Sequence, residues 1–236
     1  MSKFTVKKEI FTRLLKLCEL SLNKELSLTI NPDNILGSVH FNKNVTINAS
    51  IPGKYEAVGE IGIDSLPPMI KLLNADTSAD ITLTPHENVL TSEYSNVEYS
   101  VALRAPQYIV NKPDEKKVAA LMESLKGCPN FTLTPTDIAQ VLTYQQSIGP
   151  KSVVVSGKDT KVTLLLKTAK EQCKLTYSLR DTVDTFKVPF SELFFKVLDA
   201  LKESTLVVTI HPEKKLGHIR MDSKEINFDC LLIGIL

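Results

Sequence analysis

The sequence predicts an α+β protein built as two similar domains in tandem, each ordered strand, helix, strands, helix, strands. Three observations lead there. The same order of elements occurs twice along 236 residues, at an offset of about 125 to 127. Most segments between the helices alternate apolar and polar residues with period two, as half-buried strands do. A charged segment poor in β-branched and aromatic residues separates the halves. The domains are set at 1–106 and 130–236, with 107–129 as connector. A single α+β domain with an exposed central helix is the alternative reading.

Each half opens on a short strand, Phe4–Lys7 in the first and Phe131–Thr134 in the second. In the first helix Ile10, Phe11, Leu14, Leu15, Leu17 and Cys18 recur at helical spacing, as do Ile138, Val141, Leu142 and Ile148 in its counterpart. That counterpart carries clear end signals: Thr134 as N-cap, Pro135 at the first helical position, Asp137 three after the cap and Gly149 as the stop. Strands are expected at Leu26–Ile30 and Val45–Ile51, and within Ser152–Val155, Lys161–Leu166 and Lys174–Leu179. A second helix follows in each half, Ser65–Leu73 with Pro67 and Pro68 in its first turn, and Phe190–Leu201. Closing strands fall at Ile81–Thr84, Val89–Tyr94 and Val97–Leu103, then at Leu206–Ile210, His218–Met221 and Ile226–Leu232. The connector starts extended at Ala105–Val110 and turns helical between Pro113 and Lys126.

Composition narrows the function. Charged residues make up 23% and hydrophobic ones 43%, ordinary for a globular protein, and the formal net charge is +1. A nucleic-acid surface would therefore depend on how charge is distributed rather than on its sum. The N-terminal residues Met1–Lys7 show no signal-peptide pattern and no apolar run is long enough to span a bilayer, so an intracellular, cytoplasmic protein with no membrane partner is expected. Cys18, Cys128, Cys173 and Cys230 lie far apart and read as reduced core residues.

Chemistry is scarce. His40, His86, His211 and His218 show no metal-ligand spacing, and even a pair across a hairpin, His211 with His218, falls short of a zinc set. Ser156-Gly157-Lys158-Asp159-Thr160 lacks the first glycine and the following helix of a phosphate loop, and reads as a turn between strands. No catalytic residue, no metal and no cofactor is expected, and the chain is read as a binding protein rather than an enzyme. A small-molecule enzyme on the same scaffold would need a pocket lined by His40, His86 or His211.

The repeat points to one surface. At an offset of 125, Met69–Leu73 falls on Phe194–Leu198, so Lys71 and Lys196 hold the same place in the two second helices. At an offset of 127, Arg13 and Lys16 fall on Gln140 and Thr143. All lie on polar faces opposite the apolar stripe, with Lys8 near them and Glu19 and Asp199 the nearest acids. An ordinary solvated face would look the same.

Taken together, these stretches resemble the DNA sliding-clamp family: the proliferating cell nuclear antigen of eukaryotes and archaea, and the trimeric clamps of tailed phages, whose length per subunit fits best. The resemblance covers the whole chain. It rests on Phe4–Leu22, on Ile63–Asp76, on Leu103-Arg104-Ala105-Pro106 and on Thr134–Gly149. It implies a homotrimeric ring with antiparallel sheets outside and helices lining a hole for duplex DNA. It further implies a processivity factor for a replicative DNA polymerase, placed by a clamp loader, in a bacterial host's cytoplasm if phage-encoded. Lys8, Arg13, Lys16, Lys71, Gln140, Thr143 and Lys196 would face DNA without reading its sequence. Gln140 and Thr143 stand where the eukaryotic clamps usually carry basic residues. Subunits would join through Val97–Leu103 and Lys174–Leu179. Partner peptides would dock among Val39, Phe41, Tyr108, Ile109, Val110, Leu231 and Leu232. A monomeric DNA-binding processivity subunit of the same fold is the alternative. The role of the 113–126 segment stays open.

Overall fold

The computed structural model describes residues 3–21, 24–41, 45–94, 97–109 and 112–235. Val110, and Leu22 at the end of the first resembling stretch, lie outside them, as does the side chain of Phe41. The chain forms two compact units. One comprises Met1–Asp114 with Asp222–Phe228, the other Glu115–Met221 with Asp229–Leu236.

In the first unit the strands are β1 (Phe4–Lys7), β2 (Leu26–Ile30), β3 (Asn34–Phe41), β4 (Val45–Pro52), β5 (Gly59–Ile63), β6 (Asp80–Pro85), β7 (Val89–Tyr94) and β8 (Val97–Arg104). They pair in the order β1-β6-β7-β8-β5-β2-β3-β4, antiparallel at every pair. Helix α1 (Lys8–Glu19) follows β1, and α2 (Leu66–Ala75) follows β5. The apolar stripe of α1 is the reason for its position: Phe11, Leu14, Leu15, Leu17 and Cys18 are buried, and Phe11 meets Phe4 of β1 edge to face at 6.2 Å. β3 takes α1 closely because it carries Gly37, where a Cβ would stand 3.0 Å from both Cys18 Sγ and Leu14.

The sequence pattern did not reveal β3 and β5. Both carry glycine at positions where a strand pattern calls for a side chain, Gly37 in one and Gly59 and Gly62 in the other. Gly62 is needed where it stands, since a Cβ there would collide with the Arg104 backbone carbonyl and also crowd the Ile109 side chain.

The connector begins as a single 3₁₀ turn, Pro106–Tyr108. Its start is pinned to the first unit. The Arg104 guanidinium bridges Glu25 and Asp64, the latter at 2.5 Å, and Lys112 pairs with Glu60 at 2.7 Å. Partial burial pushes the Glu60 carboxyl up, but hydrogen bonds from Lys112 and Ser27, with the Lys112 charge, outweigh it and hold Glu60 below the usual carboxylate range.

The second unit contains α3 (Glu115–Ser124), β9 (Asn130–Leu133), α4 (Pro135–Ile148), β10 (Ser152–Lys167), β11 (Gln172–Ser191), α5 (Leu193–Ala200), β12 (Leu206–His211), β13 (Leu216–Met221) and, from Asp229 on, β14 (Asn227–Ile233). The order of the first unit thus recurs, with β10 and β11 standing where β2 to β5 stand. β14, β13, β12 and β9 pair in that order, and β10 pairs with β11. The expected turn at Gly157–Asp159 is an irregularity inside β10, with register shifts on both sides and Asp159 left-handed at φ 54°. Helix α4 starts as its end signals require: Thr134 and Asp137 form a reciprocal capping box, and Gly149 closes the helix in the left-handed region at φ 71°. Helix α5 starts later than the apolar run suggests. Phe190 and Ser191 still belong to β11, pairing with Val153 and Ser152, and Phe190 stacks on Phe194 of α5 at 6.0 Å.

Cys18 and Cys230 are core residues, while Cys128 and Cys173 are only half-buried, and all four are free thiols. Burial pushes the Cys18 thiol up to about 12 and raises that of Cys230 still further. No helix among the described residues is long and apolar enough to cross a membrane.

Candidate functional site

The residues singled out in the sequence fall on two kinds of surface, one polar on the helices and one apolar on the sheets. In the first unit, Lys8, Arg13 and Lys16 lie on the side of α1 away from its buried stripe, with Lys16 exposed and Arg13 partly so. They line an open groove together with Lys7, Asn74 and Ser78, and with the acids Glu9, Asp80 and Glu225, so its charge is mixed. Lys7 was missed because it ends a strand rather than joining the helical repeat, yet it contributes a fourth cation to the groove. Lys8 Nζ donates to the Asp76 carbonyl beyond the C-terminus of α2, which ties the two helices together. Lys71, exposed on α2, does not line this groove.

In the second unit the polar faces are nearly neutral. Gln140 and Thr143 are exposed on α4, and the Thr143 hydroxyl is spent locally, donating to the Ala139 carbonyl at 2.8 Å. The exposed face of α4 also carries Tyr144, and no residue of this helix is cationic. Lys196 of α5 is half-exposed and pairs with Glu192 one turn earlier at 2.9 Å. The Glu192 carboxyl is held below the usual range by this hydrogen bond and by the charges of Lys196 and Lys151. Lys151, just after α4, was not singled out in the sequence because it falls outside both helical repeats. The structure therefore gathers Lys8, Arg13 and Lys16 into one groove, where Glu9, Asp80 and Glu225 also lie, and pairs Lys196 with an acid of its own helix.

The apolar candidates separate by strand parity, since neighbouring residues on a strand point to opposite faces. Val39 is 0% exposed and shares the face of β3 on which Gly37 meets α1, so it is core. Ile109 is buried against Gly62, whereas Tyr108 beside it is 66% exposed. On β14, Phe228, Cys230 and Leu232 alternate on one face, and Leu231 lies on the other with Asp229. Leu231 packs with Leu216 and Leu125, and Val118, Leu121 and Met122 of α3 close over them.

Among the described residues the strands β8 and β11 have open edges, as do β1, β9 and β10. β8 pairs along its length with β7, but with β5 only through Leu103 and Arg104. β11 has no ladder partner but β10 among the described residues. Tyr177 on that strand stacks on Phe131 at 5.9 Å, and burial first, then Asp137, pushes its hydroxyl up to about 12. Among the described residues no cluster of His, Cys, Asp or Glu could hold a metal ion. His218 lies inside β13 rather than at a strand end, buried and paired with Asp229 at 2.7 Å, which explains its polar character without chemistry.

This architecture is that of the DNA sliding clamps. The proliferating cell nuclear antigen of A. fulgidus, in a structure with the C-terminal region of FEN-1 bound, superimposes with a TM-score of 0.79 at 14% identity, covering 100% of this chain and 99% of that one. The proliferating cellular nuclear antigen of Entamoeba histolytica gives 0.74 at 14%, covering 100% and 98%. The DNA polymerase III beta subunit of Thermotoga maritima gives 0.75 at 13%, covering all of this chain but 66% of its own longer one. No family model and no curated protein sequence matches the chain.

Proposed function

We propose that this protein is a sliding clamp: a non-enzymatic processivity factor that closes as a homotrimer around duplex DNA, is placed by a clamp loader and tethers a replicative polymerase. The two-domain clamp fold over the full length of the chain is the observation that carries this reading. The open edges supply the means of closure. Pairing the free edge of β8 in one copy with that of β11 in the next is a heterologous contact, which closes into a ring when the rotation allows. Two domains per chain, as in the proliferating cell nuclear antigens it matches over nearly their full length and unlike the longer bacterial subunits, favour three copies.

The charge pattern suits loose attachment. Cations on short helix faces attract phosphates without reading bases, and a ring needs no tight contact to stay on DNA. In this reading Lys8, Arg13, Lys16, Lys71 and Lys196 face DNA, with Lys7 added, and Gln140 and Thr143 form a neutral stretch over which the duplex slides. Among the apolar candidates Tyr108, 66% exposed on the first unit, is the position from which a partner surface is built there.

Threading tests the reading. The protein is mixed with a short linear duplex carrying biotin at both ends, the ends are then blocked with streptavidin, and retention is compared with an unblocked duplex. A clamp is retained only when the ends are blocked. Equal, tight and salt-sensitive binding to both duplexes would replace the ring with a monomeric DNA-binding subunit of the same fold.

A further inference from the structure

The hairpin of β10 and β11 has two faces of opposite character. Val155, Val162, Leu164 and Phe190 point to the inner one and are buried, and Phe190 stacks there on Phe194 of α5. The register sets the outer face pair by pair: Ser156 opposite Lys187, Lys161 opposite Ser178, Thr163 opposite Thr176, Leu165 opposite Lys174 and Lys167 opposite Gln172. The hydroxyls of Thr163 and Thr176 meet across it at 3.3 Å. All four lysines are exposed, and none is in an ion pair seen among the described residues. No acid and no aromatic residue stands among these pairs. The acids of the hairpin lie elsewhere, Asp159, Asp181 and Asp184 at the irregularity and Glu171 in the turn. The first unit is the internal comparison. β2, β3, β4 and β5 hold the corresponding place and contain neither lysine nor arginine. Keeping such a sheet face in water therefore needs no cations in this chain. The helices show the reverse, with Lys8, Arg13 and Lys16 on α1 and no cation on α4.

We infer that the outer face of β10 and β11 is a second nucleic-acid surface, which holds the phosphate backbone of a duplex loosely and reads no bases. It goes beyond the clamp reading, because α4 and α5 pack on the opposite side of the hairpin and this contact needs no ring. Lys161, Lys174 and Lys167 follow one another along the ladder, about 13 and 7 Å apart at about 3.3 Å per residue. That row of about 20 Å spans several phosphates, since each strand of a duplex offers one about every 3.4 Å of its axis. Thr163, Thr176 and Ser178 stand between the lysines, and hydroxyls of this kind donate to phosphate oxygens. Two features choose the occupant. With no aromatic side chain on the face there is nothing for unpaired bases to stack on, which favours a duplex over a single strand. The apolar residues of the face, Val154, Leu165 and Pro189, are half-buried, so none stands out to enter a lipid surface.

The test uses the full chain and a small, fluorescent, covalently closed duplex circle, which has no end to thread and so reads surface contact alone. Lys161→Gln, Lys167→Gln and Lys187→Gln are combined; Lys174 is left in place because it lies on the edge proposed to join subunits. Three phosphate contacts at a slope of about 0.9 each make the native affinity fall at least about fortyfold between about 50 and 200 mM salt. The triple variant is expected to bind the circle at least about tenfold more weakly at the lower salt and to lose most of that dependence. The same three positions changed to arginine keep the charge and are expected to keep the binding. Lys16→Ala with Lys71→Ala, which alters the helix faces, is expected to leave it unchanged. A folded glutamine variant that binds the circle as the native chain does overturns the proposal, as does loss of binding in the helix variant instead. Vesicles of phosphatidylserine and phosphatidylcholine, and polyglutamate, are run in parallel; tighter binding of either than of the circle overturns the choice of nucleic acid. Retention on the end-blocked linear duplex separates the two readings. A chain that threads but ignores the circle sinks this surface alone, and one that binds the circle through these lysines but never threads keeps the surface and sinks the clamp.

Discussion

Replacing Lys16 and Lys71 by alanine tests the DNA-facing assignment most sharply. Both side chains are exposed, and neither has an ion pair among those seen for the described residues, so their charge is available to phosphate. Each phosphate contact contributes about 0.9 to the slope of log K against log salt concentration. Over a fourfold rise in salt one contact is therefore worth a factor of about 3.5, and two about twelvefold. Where both lysines of a copy engage the duplex, the double variant loses about twelvefold less affinity than the parent between about 50 and 200 mM salt. Fluorescence anisotropy on a short duplex blocked at both ends after mixing, at several salt concentrations, reads this slope directly. Circular dichroism and sedimentation should be unchanged, because neither residue packs in the core. A slope equal to the parent's would remove these two helix faces from the DNA path, whatever the fold.

Lys196→Ala should flatten the same slope less than Lys71→Ala, because Glu192 already offsets the Lys196 charge; Glu192→Gln should steepen it. Thr134→Ala removes the capping box of α4 and should cost about 1 kcal/mol, read by urea denaturation. Gly217→Ala pushes a methyl into the Phe190 ring and should cost about 1–3 kcal/mol in the same assay. Glu60 has a lowered carboxyl pKa, so its stabilising bonds to Lys112 and Ser27 are fully present above the ordinary value of 4.5 and are lost as pH falls through the lowered one. Lys112→Met should remove that part of the acid dependence, seen as a flatter fall of Tm between neutral and acid pH. In native protein a thiol reagent should label Cys173 first and leave Cys18 and Cys230 unreacted until unfolding, resolved by mass spectrometry of peptides.

Much of the fold was legible because its signals are local. The stripe of α1, the caps of α4 and the alternation of β2 and β7 each follow from residues within one element, and the structure keeps β2 and β7 at their expected bounds. What was not legible depends on partners distant in sequence. β3 and β5 were hidden by glycines, of which Gly37 answers to the closeness of α1 and Gly62 to that of the Arg104 carbonyl and Ile109, visible only after folding. Phe190 looks helical by its neighbours, but its backbone is claimed by the ladder to Val153. The polar faces of the helices could be read from periodicity, whereas the Glu192 partner of Lys196 and the nearby Lys151 were overlooked. The apolar candidates were grouped by proximity in sequence, and strand parity divides them. Leu231 and Leu232 are adjacent, yet one faces α3 and the other the core. That parity was available in the sequence; the seating of α3 on Leu216 and Leu231 was not.

The ring is the central claim, and the mass of the protein in solution tests it most directly. Sedimentation velocity at micromolar concentration should show one species of about three times the 26.2 kDa of a single chain. A single species at the mass of one chain across that range would contradict it.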